Sequence, residues 1–234
     1  GLDRLAQTVT GIQAEQVSPQ IVRVTVRATT SAPRKGNLFA VDYVYTIYGS
    51  RDVVLSTHLV PAEGLPHLPR VGLQMRLPAG HETFTWYGRG PHESYVDRKM
   101  GAAVGLYSAS VDELCEPYIT PQENGNRTDV RWLALTDPEG SGLLVVAMPS
   151  LEVSALHYTT ADLDAAKHTC ELTRRDEITL NLDYAQSGLG GASCGPGTLP
   201  QHLLQPSELT FSVRLRPIGP HDGTPMNLSK QQMP

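Results

Sequence analysis

Glu93 and Glu123 are the acidic side chains most suggestively placed for chemistry, because each sits inside a dense polar turn. The first turn is Trp86-Tyr87-Gly88-Arg89-Gly90-Pro91-His92-Glu93-Ser94-Tyr95-Val96-Asp97. The second is Pro121-Gln122-Glu123-Asn124-Gly125-Asn126-Arg127. Gly permits backbone angles closed to other residues and Pro fixes its own, so both stretches read as irregular turns that hold side chains in place. Two readings follow. In one, Glu93 and Glu123 act directly on a substrate as a carboxylate pair. In the other, preferred here, His92, Glu93, Asp97, Glu123, Asn124 and Arg127 form a structural polar network, pairing with one another and with loop backbone; ion-pair networks often have that role.

Other reactive patterns are weak. His157 and His168 do not fall in an HExxH or other ligand spacing, and each reads as a hydrogen-bonded core or rim histidine. No Gly-x-Ser-x-Gly elbow is present, and Cys115, Cys170 and Cys194 carry no CxxC spacing or nucleophile signature. Gly188–Gly197 is glycine-rich, but Pro196 and Pro200 interrupt any helix, so it is not a dinucleotide fingerprint. It reads as a surface loop or a binding loop. Asn126-Arg127-Thr128 and Asn227-Leu228-Ser229 fit a glycosylation sequon and, with no secretory signal visible, read as chance matches. The net charge of −5, with no basic run, argues against a nucleic-acid partner. No apolar stretch is long enough to suggest a membrane span. An odd count of three cysteines suits a reducing, cytoplasmic setting.

The elements that must position these turns are strands. Ile21–Thr30 alternates Val22, Val24, Val26 and Ala28 against Arg23, Thr25 and Arg27, the pattern of a half-buried antiparallel strand. Residues 38–60 read as a hairpin about Gly49-Ser50, and Val71–Leu77 and Thr83–Tyr87 as further strands. Val130–Thr136 and Leu143–Met148 flank the turn-rich Asp137–Gly142, and Leu151–Tyr158, Glu177–Asp183 and Leu209–Leu215 complete the set. Residues 1–19 read as a lead-in segment, and Met100–Val111 receives no assignment. Thr159 with Asp162 makes a capping box, giving a short helix over Leu163–Lys167. Many short strands with almost no helix predict an all-β sandwich spanning residues 1–217 as one domain. The patternless residues 218–234 read as a disordered tail.

The two polar turns also carry a resemblance. Together with Leu68-Pro69-Arg70-Val71-Gly72, Leu156-His157-Tyr158, Leu163, His168, Gly188-Leu189-Gly190-Gly191 and Ser193-Cys194-Gly195-Pro196, they resemble the C-terminal, small-chain domain of the bacterial β-galactosidases of glycoside hydrolase family 2. Two departures stand out: the family's usual Arg-Ala-Pro-Thr-Asp-Asn-Asp-like opening is absent, and Ala192-Ser193-Cys194-Gly195 replaces a Trp that better-known members carry. The resemblance implies a large antiparallel two-sheet supersandwich, galactose mutarotase-like in fold. It implies a parent enzyme that hydrolyses terminal non-reducing β-D-galactosides with retention, and whose catalytic carboxylates lie on a separate barrel. A chain of 234 residues has no room for a barrel of about 250 residues as well, so Glu93 and Glu123 are not expected to be the catalytic pair. By the same resemblance, Gly190, Gly191, Ser193 and Cys194 form a rim loop beside the galactoside. Mg²⁺ and Na⁺ would be held by other domains, with no cofactor or metal in this chain. The implied partners are the catalytic barrel, the galactoside substrate at the rim and further copies of the parent in a homo-oligomer. Alternatives are a stand-alone carbohydrate-binding module and an aldose epimerase-like enzyme.

Overall fold

A computed structural model describes residues 2–191 and 194–233. The described strands pair antiparallel throughout, and helix is confined to short segments, as the all-β reading requires. The chain divides into two compact units where the sequence pattern gave one domain.

The first unit comprises Gly1–Leu68 and Gln205–Pro217. It holds β1 (Ala6–Ser18), β2 (Ile21–Ala32), β3 (Gly36–Tyr48) and β4 (Val53–Pro61), paired in that order, with β11 (Leu209–Ile218) paired to β4. The hairpin over 38–60 forms, as the Gly49-Ser50 turn indicated. Its turn is fastened by Asp52, which is fully buried and accepts hydrogen bonds from the Ser50 hydroxyl and from Arg216. β1 corrects the lead-in reading. It pairs with β2 from Ala6 opposite Ser31 to Ser18 opposite Ile21. Almost all of it is exposed, so burial imposes no alternation for the eye to find.

The second unit comprises Pro69–Leu204 and Ile218–Pro234. Its strands are β5 (Arg70–Leu77), β6 (Thr83–Gly90), β7 (Ala103–Ser110), β8 (Arg127–Thr136), β9 (Gly142–Leu156) and β10 (Ile178–Gln186). Their pairings run β5-β10-β9-β8-β6-β7. β7 is the unassigned stretch, an edge strand of this series with Val104 and Leu106 exposed. Phe84, Trp86, Leu133, Leu135, Leu144, Leu180 and Leu182 make the core. Leu151–Leu156 of β9 and Ile178–Asp183 of β10 are buried on both faces, as in the middle layers of a sandwich. The alternate residues Thr179, Asn181 and Asp183 are therefore polar groups inside the protein.

The expected helix forms as α1, but over Thr160–Ala165 rather than Leu163–Lys167: the capped N-terminus starts it directly after Thr159, and Ala166 is already extended. The Thr159 hydroxyl accepts the Asp162 N–H, and the Asp162 carboxylate accepts the Thr159 N–H at 2.8 Å. The tail, expected to be disordered, contains α2 over Pro225–Ser229. Leu228, 2% exposed, packs there with Trp132, Ala134, Leu144 and Ile218. Among the described residues no helix is long and apolar enough to cross a membrane.

Candidate functional site

Three connections of the second unit converge on one polar cluster: the residues after β6, those before β8 and those at the end of β10. Arg70, the first residue of β5, donates from Nη1 to Glu123 at 3.1 Å and from Nη2 to Asp183. Asp183 is 3% exposed, and Gly72 on the paired strand is what admits it. A Cβ at Gly72 would stand 2.1 Å from the Asp183 carboxylate oxygen, closer than two atoms can approach. From Asp183 the network runs inward through side-chain amides. Gln186 donates to Asp183 at 3.1 Å and to the Asn126 oxygen at 3.3 Å. Asn126, fully buried, donates to Glu152 at 2.9 Å and to the Ser94 carbonyl at 3.0 Å.

Glu123 and Asp183 share the Arg70 guanidinium, and Glu152 joins them through Asn126 and Gln186. Burial raises the Asp183 carboxyl above its usual range, with Arg70 pulling the other way. Burial likewise raises Glu123, opposed by Arg70 and reinforced by Asp183 and Glu93. Glu152 is pushed up to about 7 by burial, the Asn126 hydrogen bond offsetting part of the shift. The Tyr95 hydroxyl is fully buried, and its proton is held more tightly than usual by burial and by the Glu123 and Glu93 charges.

The six residues of the predicted network have different placements. Glu93 accepts the Gly125 N–H at 2.8 Å and the Tyr118 hydroxyl, so it ties the first turn to the second. Tyr118 is pushed up to about 12 by burial and by that bond. Asn124 closes its own turn, accepting the Glu116 N–H at 3.1 Å and donating to the Gln122 carbonyl at 2.9 Å. Asp97 binds backbone of the glycine-rich loop, at Leu189 and Gly190. Arg127, 2% exposed, departs from the expected ion pairing: its guanidinium donates to the carbonyls of Leu114, Gly125 and Pro91 and lies 5.4 Å from the Trp86 ring centroid. Burial accordingly lowers its pKa, although it keeps its charge in practice. His92 is exposed, and no hydrogen bond among the described residues joins it to the others.

Sequence reasoning missed Asn126, Glu152, Asp183 and Gln186 as members, and Arg70 as the cation between two carboxylates. Arg70 and Asn126 lay within quoted motifs. Asp183 and Glu152 looked like ordinary polar positions of strands, because a strand pattern gives no sign that its polar face is covered too.

Of the loop residues, Gly190 and Gly191 are described, and Cys194 is exposed. Ser193 lies outside the described residues. His157 is buried, with Nε2 2.8 Å from Glu82, and exposed His168 pairs with Glu171 at 2.8 Å. Both match the core-or-rim reading. Among the described residues no three His, Cys, Asp or Glu side chains come together as a metal site. The arrangement therefore offers hydrogen-bonded carboxylates that brace loops.

The model of the β-galactosidase small chain family matches residues 2–215. The chain belongs to that family. Its relatives include β-galactosidases of Priestia megaterium, 39% identical over 75% of this chain and 17% of the relative, and of Vibrio cholerae, 42% identical over 74% and 16%. That of Kluyveromyces lactis is 33% identical over 92% of this chain and 21% of the relative. This small-chain domain thus spans about a sixth to a fifth of the length of the curated relatives it matches. Among solved structures, a galactose 1-epimerase from Lactobacillus acidophilus is similar at TM-score 0.44 and 12% identity, over 90% of this chain and 66% of that one. A likeness of that size bears on neither activity nor site.

Proposed function

We propose that the chain serves as the small-chain domain of a β-galactosidase that hydrolyses terminal non-reducing β-D-galactosides, and that it supplies architecture and rim contacts while the catalytic carboxylates lie elsewhere in the parent. The observation carrying this reading is the family match over residues 2–215 in a chain that spans only 16% to 21% of its relatives. The chemistry of the polar cluster supports it. Glu93 and Glu123 each hold a structural partner, and a carboxylate committed to bracing a turn is poorly placed to protonate a leaving group or attack a sugar. The partners are the catalytic barrel of the parent, the galactoside at the rim and other copies of the parent in a homo-oligomer. Mg²⁺ and Na⁺ would be held outside this chain. Three free cysteines suit a cytoplasmic setting.

The loop from Gly188 to Pro196 would face the substrate. With Cys194 in place of an aromatic ring it offers a small, weakly polar contact to a sugar's apolar C–H face, where a ring would stack. Cys194→Ala in the complete enzyme should then change kcat/KM by less than about threefold.

The purified chain alone, given a chromogenic β-galactoside at high protein concentration, should fold and show no turnover. Turnover that survives repurification and is lost in Glu93→Gln or Glu123→Gln would overturn the proposal.

A further inference from the structure

In the first unit, one face of the sheet has a composition at odds with its exposure. Pairing aligns β1, β2 and β3 residue by residue, so each face can be followed across the strands. One face is polar. Glu15 stands opposite Arg23 and pairs with it at 3.1 Å, and Arg27 stands opposite Asp42. Among the described residues of these three strands, the other face carries no charged side chain. Ile12, Val26 and Tyr43 form one of its rows, and Ala14, Val24 and Tyr45 form the next. An antiparallel sheet of this kind turns its polar face to water and packs the apolar one. Here the packing stops part-way. Where the apolar face continues onto β4 and β11, Leu55, Phe211 and Val213 are buried. Towards β1 it opens: Ile47 is 40% exposed, Val9 52% and Ile12 70%. β1 ends this series of strands, and its thirteen residues include neither Lys nor Pro, the residues that commonly guard an edge left to water.

We propose that the apolar face of β1, β2 and β3 is an interface with the rest of the parent β-galactosidase, which covers it with a layer of uncharged, apolar side chains. This rests on the reading of the chain as a small-chain domain given above. Two observations select that occupant. The chain spans 16% to 21% of the length of relatives such as those of Vibrio cholerae and Kluyveromyces lactis, so the larger part of such an enzyme lies outside it. The face also gives an ionic partner nothing to meet, and the Gln7 amide spends a hydrogen bond within it, donating to the Tyr43 hydroxyl at 2.8 Å. Extended apolar patches on a protein surface mark places where something docks. The driving force is removal of aliphatic area from water, so a charge placed on this face is tolerated while it is open and expelled once it is covered.

The test compares this chain alone with the complete enzyme. Ile12→Cys and Gln13→Cys place a thiol on the apolar and the polar face of the same strand, and labelling by a maleimide is read peptide by peptide. In the chain alone both should react at similar rates. In the complete enzyme Ile12→Cys should react at least about tenfold more slowly, and Gln13→Cys about as fast as before. Ile12→Glu gives a second readout. It should leave the melting temperature of the chain alone within about 2 °C, as surface substitutions do, and lower that of the complete enzyme by several degrees. Gln13→Glu should be harmless in both. Equal reactivity of Ile12→Cys in the two samples, or a complete enzyme that tolerates Ile12→Glu, overturns the interface. Protection of Gln13→Cys to the same degree also overturns it, because the strand would then be covered along its edge and not on this face. A chain that sediments alone as a dimer, with Ile12→Cys protected in it, assigns the face to a second copy and contradicts the proposal. Hydrolysis of a chromogenic β-galactoside by the unsubstituted complete enzyme keeps the two readings apart. An active enzyme with Ile12→Cys unprotected loses the interface and keeps the function, whereas an inactive one loses the function while the labelling still decides the interface.

Discussion

Glu152 lies in surroundings that oppose its charge, because burial outweighs its hydrogen bond from Asn126. Its ordinary value of 4.5 rises to about 7 in the fold. The folded chain therefore binds that proton more tightly than the unfolded chain. The resulting stability is fully present below about pH 4.5 and is lost as pH rises through about 7. A shift of this size corresponds to at most about 3 kcal/mol. Asp183, also raised, adds a slope of the same sign. Glu152→Gln keeps an acceptor for Asn126 and removes the charge, so its melting temperature should fall less than wild type's between about pH 5 and 8 and exceed it at the upper end. Parallel thermal melts across that range check this. Arg70 is the counterpart: Arg70→Ala strands Asp183 and Glu123 without their cation. Because Arg70 and Glu123 are partly exposed, the loss should lie near the lower end of the ~3–5 kcal/mol typical of breaking a buried pair, read by denaturant unfolding at neutral pH. Arg127→Lys should cost about 1–3 kcal/mol in the same assay, since an ammonium cannot reach three carbonyls and lie over Trp86 as the planar guanidinium does.

At the scale of elements, legibility tracks local chemistry. The capping box of α1 and the 38–60 hairpin were readable because the signals lie within a few residues of each other. The two polar turns were readable as holders from their Gly, Pro and Asn content alone. What they hold was not. Asp183 and Glu152 enter the cluster because their strands are covered on both faces, which is a property of packing and absent from any two-residue period. β1 escaped for the opposite reason: exposed almost throughout, it has no buried face to mark it. α2 is too short for helical periodicity, and its placement depends on Leu228 reaching Trp132 and Leu144. Leu228→Ala should therefore cost about 2–4 kcal/mol and loosen the packing over Trp132, visible as a red shift of its fluorescence. An unchanged melting temperature would mean that α2 does not cover this face.

At the scale of the molecule, each unit has its own antiparallel strands and buried residues, while the polar machinery lies in the second. In that unit the turns around Glu93 and Glu123 are bound into each other, and Asp97 reaches on to the glycine-rich loop. The chain spans 16% to 21% of the length of β-galactosidase relatives such as those of Vibrio cholerae and Kluyveromyces lactis. The most direct measurement of the central claim is hydrolysis of a chromogenic β-galactoside by three samples: this chain, the catalytic remainder of its parent enzyme, and the two together. The account predicts no turnover by the chain, weak turnover by the remainder, and a saturable rise when the chain is added. Turnover by the chain alone, or a remainder whose activity is indifferent to it, would contradict the account.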